Sequence, residues 1–195
     1  MGQTSSHLNL CAALREMLLR VVGPSSTVGT DHFVYWDAAN ATTKCAPDAF
    51  VKLGVPHAPI DSWKTWETGT PELCIEIVSP IDAEVLTRDE KLERFHAMGV
   101  REVVFFDRMA APGTRLRMWD RVDGDLVERV VHGDCSPCLT LGLVFQVDAV
   151  DDEPVGLRLT GASGARIPTN REAQRTAEAR VAELEAELAR ARGER

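Results

Sequence analysis

The segment from residue 72 to residue 106 constrains the fold more than any other part of this sequence. It contains a β-type apolar run at 72–78, apolar residues at helical spacing from 87 to 98, and a continuous apolar run at 103–106. Gly99 marks the end of the helical part, since glycine commonly ends a helix. A strand, a helix and a second strand, with hairpins added outside them, imply a mixed α/β sheet.

The flanking regions fit the same architecture. Apolar residues recur every three or four positions from 6 to 22, which predicts an amphipathic helix ended by Gly23. Short β-type runs follow at 31–37 and 47–53. Beyond the central segment, the sequence predicts a hairpin at 114–121 and 125–131, and further strands at 139–147 and 155–167. We therefore expect an α/β (α+β) fold with a mixed sheet core, flanking helices and added hairpins.

The composition changes at Asn170, where alanine, arginine and glutamate become dominant. Apolar residues from Ala177 to Ala191 are spaced alternately by four and three, as in a coiled coil. A length of 195 residues suits one domain with an appendage. We expect a folded domain at 1–168 and a charged helical or short coiled-coil tail at 169–195.

Composition also restricts the function. The net charge of −8 argues against coating nucleic acid through bulk charge, so any such contact requires a local patch. Five cysteines are an odd number in a chain without an export signal, which favours reduced thiols. No apolar stretch approaches the roughly 20 residues of a membrane span. We expect a cytoplasmic protein that does not bind membranes.

The chemistry is expected to centre on Glu76. This carboxylate lies among the apolar residues of 73–78, where burial would cost several kcal/mol without a partner. Asp48 opens another predicted strand and comes beside Glu76 if the two strands pair. Two such acids suit Mg²⁺ or Mn²⁺, and Lys91 on the following helix could orient a water molecule for phosphodiester cleavage. Alternatively, Glu76 is an edge residue or salt-bridge partner, and Lys91 pairs with acids on a solvated helix face.

The amino-acid sequences of several short segments resemble those of a known family. These segments are 46–51 (APDAFV), 71–80 (PELCIEIVSP), 90–92 (EKL) and 99–103 (GVREV), with 53–56 (LGVP) and 63–67 (WKTWE) between them. In this order they resemble the hallmarks of the Uma-two family of bacterial restriction-endonuclease-like proteins. The resemblance covers residues 5–168 and extends to the charged tail.

This resemblance implies a nuclease core of the PD-(D/E)xK superfamily. Asp48 and Glu76 would bind Mg²⁺ or Mn²⁺ with the backbone carbonyl of Ile77, and Lys91 would assist catalysis. The wider superfamily places its lysine two residues after the glutamate, where this chain has Val78. The implied function is a metal-dependent endonuclease acting on nucleic acid, with DNA favoured, and a homodimer suits the cutting of both strands. The alternative is a catalytically silent scaffold that binds nucleic acid or protein partners.

Other residues give weaker signals. His132, Cys135 and Cys138 form one incomplete zinc pattern, so a turn with two incidental thiols is the favoured interpretation. His7 is expected to be a surface or packing residue. Lys44, Lys52 and Lys64 suggest a local basic rim near the site.

The stretch at 54–71 holds three prolines and has no steady period, so we expect a long functional loop. Its two tryptophans, Trp63 and Trp66, suggest a semi-rigid flap that gates the acid pair. Alternatively, they pin the loop to the core.

Overall fold

The computed structural model describes residues 4–78 and 86–193. Ser79 and Pro80 of the segment at 71–80 lie outside the described residues. The central sheet has six strands: β1 (Thr27–Gly29), β4 (Ala49–Lys52), β6 (Leu73–Ile77), β7 (Glu102–Phe106), β8 (Leu116–Val122) and β9 (Asp125–Arg129), which lie in this order. Strands β6 and β7 run parallel, and the other neighbours run antiparallel. The expected mixed sheet is therefore confirmed.

Two helices cover opposite faces of this sheet. Helix α1 (Ser5–Val22) packs Leu14 and Met17 against the face that carries Ile75 and Ile77. Helix α3 (Arg88–Met98) packs on the other face, where the core residues are Phe50, Cys74, Phe95, Met98 and Phe105. Successive residues of β6 thus point to opposite helices, as strand alternation requires. Glu76, two residues after Cys74, belongs to the α3 face.

The caps of these helices agree with their sequence signals. The Thr4 side chain accepts a hydrogen bond from the His7 N–H at the start of α1. Thr87 and Glu90 form a reciprocal capping box at the start of α3. Gly99 follows α3 with a φ of 87°, a left-handed conformation that glycine adopts without a steric penalty. The segment between β6 and β7 therefore ends its helix where the sequence predicts.

A second sheet covers the outer side of α1. Its strands are β10 (Cys135–Cys138), β11 (Leu143–Val150) and β12 (Glu153–Thr160), and its apolar face includes Phe145 and Leu159. The expected turn at 135–138 is wrong, since these residues pair with β11. Pro137 is tolerated because β10 is an edge strand. The strand expected at 155–167 ends earlier, at Thr160.

The stretch at 54–71 is partly built into the core. It contains β5 (Trp63–Lys64), which pairs with β2 (Val34–Tyr35), and the short helix α2 (Thr65–Thr68); β2 also pairs with β3 (Lys44–Cys45). Trp63 is 2% exposed, its ring lies edge-on to Phe50 at 5.4 Å, and its Nε1–H donates to the Gly69 carbonyl at 2.8 Å. Trp66 is 46% exposed. A flap that uses both tryptophans is therefore wrong for Trp63, which anchors the loop.

Helix α4 (Asn170–Gly193) forms the tail, and none of its described residues is buried. Its first turn is tied to the domain through Glu172, which accepts from the buried Arg158 guanidinium at 2.5 Å. The division at residue 168 and the coiled coil stay predictions. Among the described residues, there is no helix that combines the length and the apolarity needed to cross a membrane.

Candidate active site

The predicted site residues lie around the end of β6, where Asp48 contacts His7 of α1 and Glu76 contacts Lys91 of α3. Strand β4 pairs antiparallel with β6, with Ala49 opposite Ile75, so Asp48 lies just before the paired residues of β4. The Asp48 Oδ2 atom accepts the backbone N–H of Ile77 at 2.7 Å. The side chain of Asp48 thus continues the hydrogen bonding between the two strands, and the β6 backbone fixes its position.

Glu76 and Lys91 form an ion pair across the α3 face. The Lys91 Nζ atom lies 2.5 Å from Glu76 Oε2, and the glutamate side chain is 1% exposed. Lys91 lies in the first turn of α3, and its long side chain reaches back over the strand. The carboxylate among apolar residues therefore has the cationic partner that its burial demands. The structure places Lys91 on Glu76 and not on a purely solvated helix face.

His7 and Cys11 also reach Asp48, and the sequence interpretation missed both as site residues. His7 is buried, and its Nε2 atom lies 3.2 Å from Asp48 Oδ1. Cys11 Sγ lies 3.4 Å from the same His7 nitrogen. Their separation by four positions puts both side chains on one face of α1. A histidine and a cysteine at this spacing on an otherwise apolar helix face was the available signal.

Cys45 is buried in the core on the α3 side of the sheet. Burial and, secondarily, the Glu76 carboxylate raise the pKa of the Cys45 thiol to about 12, although Lys91 and Arg94 oppose this shift. Burial is also the main cause that raises the pKa of Cys74 well above its ordinary value. Both thiols stay protonated at neutral pH, so neither provides a thiolate nucleophile.

The three lysines expected to form a basic rim are engaged otherwise. Lys52 pairs with Glu72, and Lys64 pairs with Glu67 at 3.0 Å. Lys44 lies over the Phe33 ring at 4.3 Å. These acids neutralise Lys52 and Lys64, so the two lysines add no net positive charge. The expected basic rim is corrected here, because ion pairing and not position along the chain sets the local charge.

Arginines line the two clefts that flank the Asp48 and His7 contact. One cleft of about 270 Å³ is lined by Cys11, Arg15, Asp31 and Asp48 among others. The other, of about 280 Å³, includes His7, Ile77 and Arg108. Arg108 is paired with Glu153 at 3.4 Å, so the positive charge near Asp48 comes from Arg15 of α1.

The pattern at His132, Cys135 and Cys138 does not form a metal cluster. Cys135 is exposed, whereas Cys138 is buried and lies 3.6 Å from Glu102 Oε2. Burial and the nearby Glu102 raise the pKa of the Cys138 thiol well above its ordinary value. Within residues 4–78 and 86–193, the group of histidine, cysteine and acidic side chains close enough to share an ion is His7, Cys11 and Asp48.

Comparisons with known proteins agree with this fold. The family model described as "Uma2: Putative restriction endonuclease" matches residues 2–149. No curated protein matches the sequence. One similar solved structure is described as "a putative nuclease belonging to DUF820" from Anabaena variabilis, with 13% identity and a TM-score of 0.51. The match covers 72% of this chain and 75% of that chain. The restriction-endonuclease-like fold expected from the sequence is confirmed.

Proposed function

The chain belongs to the Uma2 family, the Uma-two family that its sequence resembles, and on this basis we propose that it is a metal-dependent endonuclease. The family description names restriction endonucleases, which supports a nuclease function and nucleic acid as the partner. We take DNA as the substrate. The assignment of Asp48, Glu76 and Lys91 as catalytic residues is part of this proposal.

The observation that carries the proposal is the arrangement at the end of β6. The Ile77 N–H donates to one carboxylate, Asp48. The second carboxylate, Glu76, directly precedes Ile77 on the same strand and pairs with Lys91. Two acids and one ammonium are the smallest set for metal-assisted phosphodiester hydrolysis. The two flanking clefts give Asp48 and Ile77 access to solvent, and Arg15 lies on the Asp48 cleft, where a backbone phosphate could be bound.

The donor set fits a hard divalent ion. Asp48, Glu76 and the Ile77 carbonyl offer oxygen ligands, which Mg²⁺ and Mn²⁺ prefer. A carboxylate has about four lone-pair positions, so the contacts with His7, Ile77 and Lys91 leave capacity for an ion. A bound ion would polarise a phosphoryl oxygen and lower the pKa of a coordinated water.

Lys91 would supply the mobile positive charge. Its ammonium carries three N–H donors on a flexible stem, and its side chain is 16% exposed, so it can turn from Glu76 toward solvent. There it would orient a water molecule or stabilise the negative charge that develops on the phosphate. The apolar Val78 stands where the wider superfamily has its lysine, so this role falls to a residue of α3.

The apolar Val78 in place of the superfamily's lysine also favours a second candidate function, a catalytically silent module. In that case the Glu76–Lys91 pair is structural, and the fold binds nucleic acid or protein partners without cutting.

A cleavage assay separates the two functions. Supercoiled plasmid DNA and a single-stranded RNA are incubated with the full chain in Mg²⁺, Mn²⁺ or a chelator. We expect metal-dependent cleavage of the plasmid that Glu76→Gln abolishes. Glu67→Gln is the matched control, because it removes the acid of an exposed lysine pair. Binding without cleavage, together with no thermal stabilisation by millimolar metal, would establish the silent module. Preferential cleavage of the RNA would overturn the choice of DNA.

We further propose a homodimer whose contact lies in the 1–168 domain, since two heptads are too few to hold a dimer alone. The test is light scattering after removal of residues 176–195. This truncation keeps Glu172 and its bond to the buried Arg158. The truncated chain should stay dimeric, and a monomeric mass would contradict the proposal.

A further inference from the structure

Three metal-ligating side chains meet on the α1 side of Asp48. His7 Nε2 lies 3.2 Å from Asp48 Oδ1 and 3.4 Å from Cys11 Sγ. One ligand atom from each residue lies within 4.8 Å of the other two. This nitrogen, sulfur and oxygen set differs in chemistry from the oxygen ligands proposed above.

The two distances from His7 Nε2 match those around a tetrahedral ion, and the ligand atoms of Cys11 and Asp48 lie within 4.8 Å of each other. Zinc bonds of about 2.0–2.3 Å place neighbouring ligand atoms roughly 3.3–3.6 Å apart. The distances from His7 Nε2 to Asp48 and to Cys11 fall in or beside this range. An ion could therefore enter with small side-chain adjustments.

We propose that His7, Cys11 and Asp48 form a binding site for a thiophilic divalent ion of the Zn²⁺ class, with its fourth position open to the cleft. Thiolate and imidazole ligands favour such ions over Mg²⁺. Binding releases the Cys11 proton to solvent, because the thiolate is the ligand form. One thiolate and one carboxylate then balance the two charges of the ion.

The surroundings hold the three ligands in place. His7 and Cys11 are one turn apart on α1, and the Thr4 cap fixes the start of that helix. The second oxygen of Asp48 accepts the Ile77 N–H at 2.7 Å, which orients the first oxygen toward His7. Such outer hydrogen bonds orient metal ligands in known sites.

An ion can reach this site from solvent. Cys11 and Asp48 both line the 270 Å³ cleft, and Asp31 lines the same cleft. His7 is buried and lines the other cleft, of about 280 Å³. The arrangement has the open side that a three-ligand zinc site requires.

The site rests on its own geometry and not on the proposed nuclease function, although the two share Asp48. An ion held by Asp48 Oδ1 lowers the charge available to a hard ion between Asp48 and Glu76. Zn²⁺ should therefore weaken Mg²⁺ or Mn²⁺ binding at the nuclease site.

Cobalt spectroscopy on the full, reduced chain tests the proposal. We expect one equivalent of Co²⁺ to give a thiolate-to-metal charge-transfer band and tetrahedral visible bands, both removed by Zn²⁺. Cys11→Ser should abolish the charge-transfer band, and His7→Asn should weaken the affinity by roughly tenfold or more. Cys135→Ser, at an exposed thiol, is the control and should keep the band. Glu76→Gln should also keep it, so loss of nuclease chemistry and loss of this site are told apart.

A measurement on the unaltered chain guards against misfolded variants. Zn²⁺ should slow alkylation of Cys11 by iodoacetamide, read by peptide mass spectrometry, and leave the exposed Cys135 unprotected. A chain that gives no charge-transfer band, a band that survives Cys11→Ser, or equal alkylation of Cys11 with and without Zn²⁺ would each overturn the proposal.

Discussion

Glu76 and Glu102 are glutamates on adjacent strands of one sheet, and the side chain of each is 1% exposed. Glu102 accepts the backbone N–H groups of Leu139 at 3.0 Å and Thr140 at 2.8 Å, together with the Arg129 guanidinium at 3.1 Å. Glu76 meets the ammonium of Lys91 at the end of a flexible side chain. The same cost of burial is thus met by two fixed backbone donors and a guanidinium in one case, and by an ammonium on a flexible side chain in the other.

This difference separates scaffold from candidate site. The two backbone donors to Glu102 come from the turn between β10 and β11, so this carboxylate joins the central sheet to the second sheet. The ammonium beside Glu76 comes from a side chain that is 16% exposed, so this contact does not depend on a backbone donor. Burial of a charged residue is therefore a poor indicator of function unless the rigidity of its partners is considered.

The largest expected effect is the difference in stability between a Glu102 variant and a Glu76 variant. Glu102→Gln leaves Arg129 without one of its acids and replaces a carboxylate oxygen that accepts a backbone N–H by an amide group. We expect a loss of about 4 kcal/mol in the free energy of unfolding. Glu76→Gln should cost less than about 1 kcal/mol because Lys91 can turn to solvent. Urea unfolding of both variants checks this, and equal losses would remove the distinction.

The two tryptophans of the 54–71 stretch extend the contrast. Trp63→Ala should destabilise the fold by about 3 kcal/mol, because its ring and its indole N–H are both used in the core. Trp66→Ala should change stability by less than about 0.5 kcal/mol and weaken substrate binding. Thermal unfolding and DNA-binding titrations distinguish them. Unchanged DNA affinity in Trp66→Ala would remove this residue from the gating hypothesis.

Lys91, the partner of Glu76, is expected to act in cleavage and not in metal binding. Lys91→Ala should lower the cleavage rate about a hundredfold, or about 2.7 kcal/mol, while metal binding persists. Lys91→Arg should rescue little, because a guanidinium is a wide planar fork. Single-turnover cleavage and metal-dependent thermal shifts provide the two readouts, with Lys64→Ala as the surface control. Lost metal binding in Lys91→Ala would contradict this role.

The smallest effect concerns a third carboxylate with a buried cationic partner. A hydrogen bond from Arg158, aided by the Thr169 backbone, lowers the pKa of Glu172 below its ordinary value of 4.5. Because the folded-state pKa is the lower one, this stabilisation is present above 4.5 and is lost as the pH falls through the folded-state value. Glu172→Gln should cost about 1 to 2 kcal/mol at neutral pH. The free energy of unfolding of Glu172→Gln should also vary less than that of the unaltered chain as the pH falls below 4.5. An unchanged pH dependence would refute this prediction.

The sequence alone determined the strand, helix and strand of the central segment and one half of the candidate site. Helical spacing, the apolar strands and Gly99 fix the order of strand, helix and strand, because these signals depend on near neighbours. The isolated carboxylate of Glu76 required a cation, and Lys91 lay on the next helix. The family resemblance followed from the same segments.

Only the tertiary structure decided what meets across long chain separations. His7 and Asp48 are 41 positions apart, and their contact depends on how α1 packs on the sheet. The burial of Trp63, the pairing of Lys52 with Glu72 and the strand at Cys135–Cys138 likewise depend on sheet order and register. Local periodicity says which face a side chain leaves from, but the packing of distant elements decides which side chain it meets.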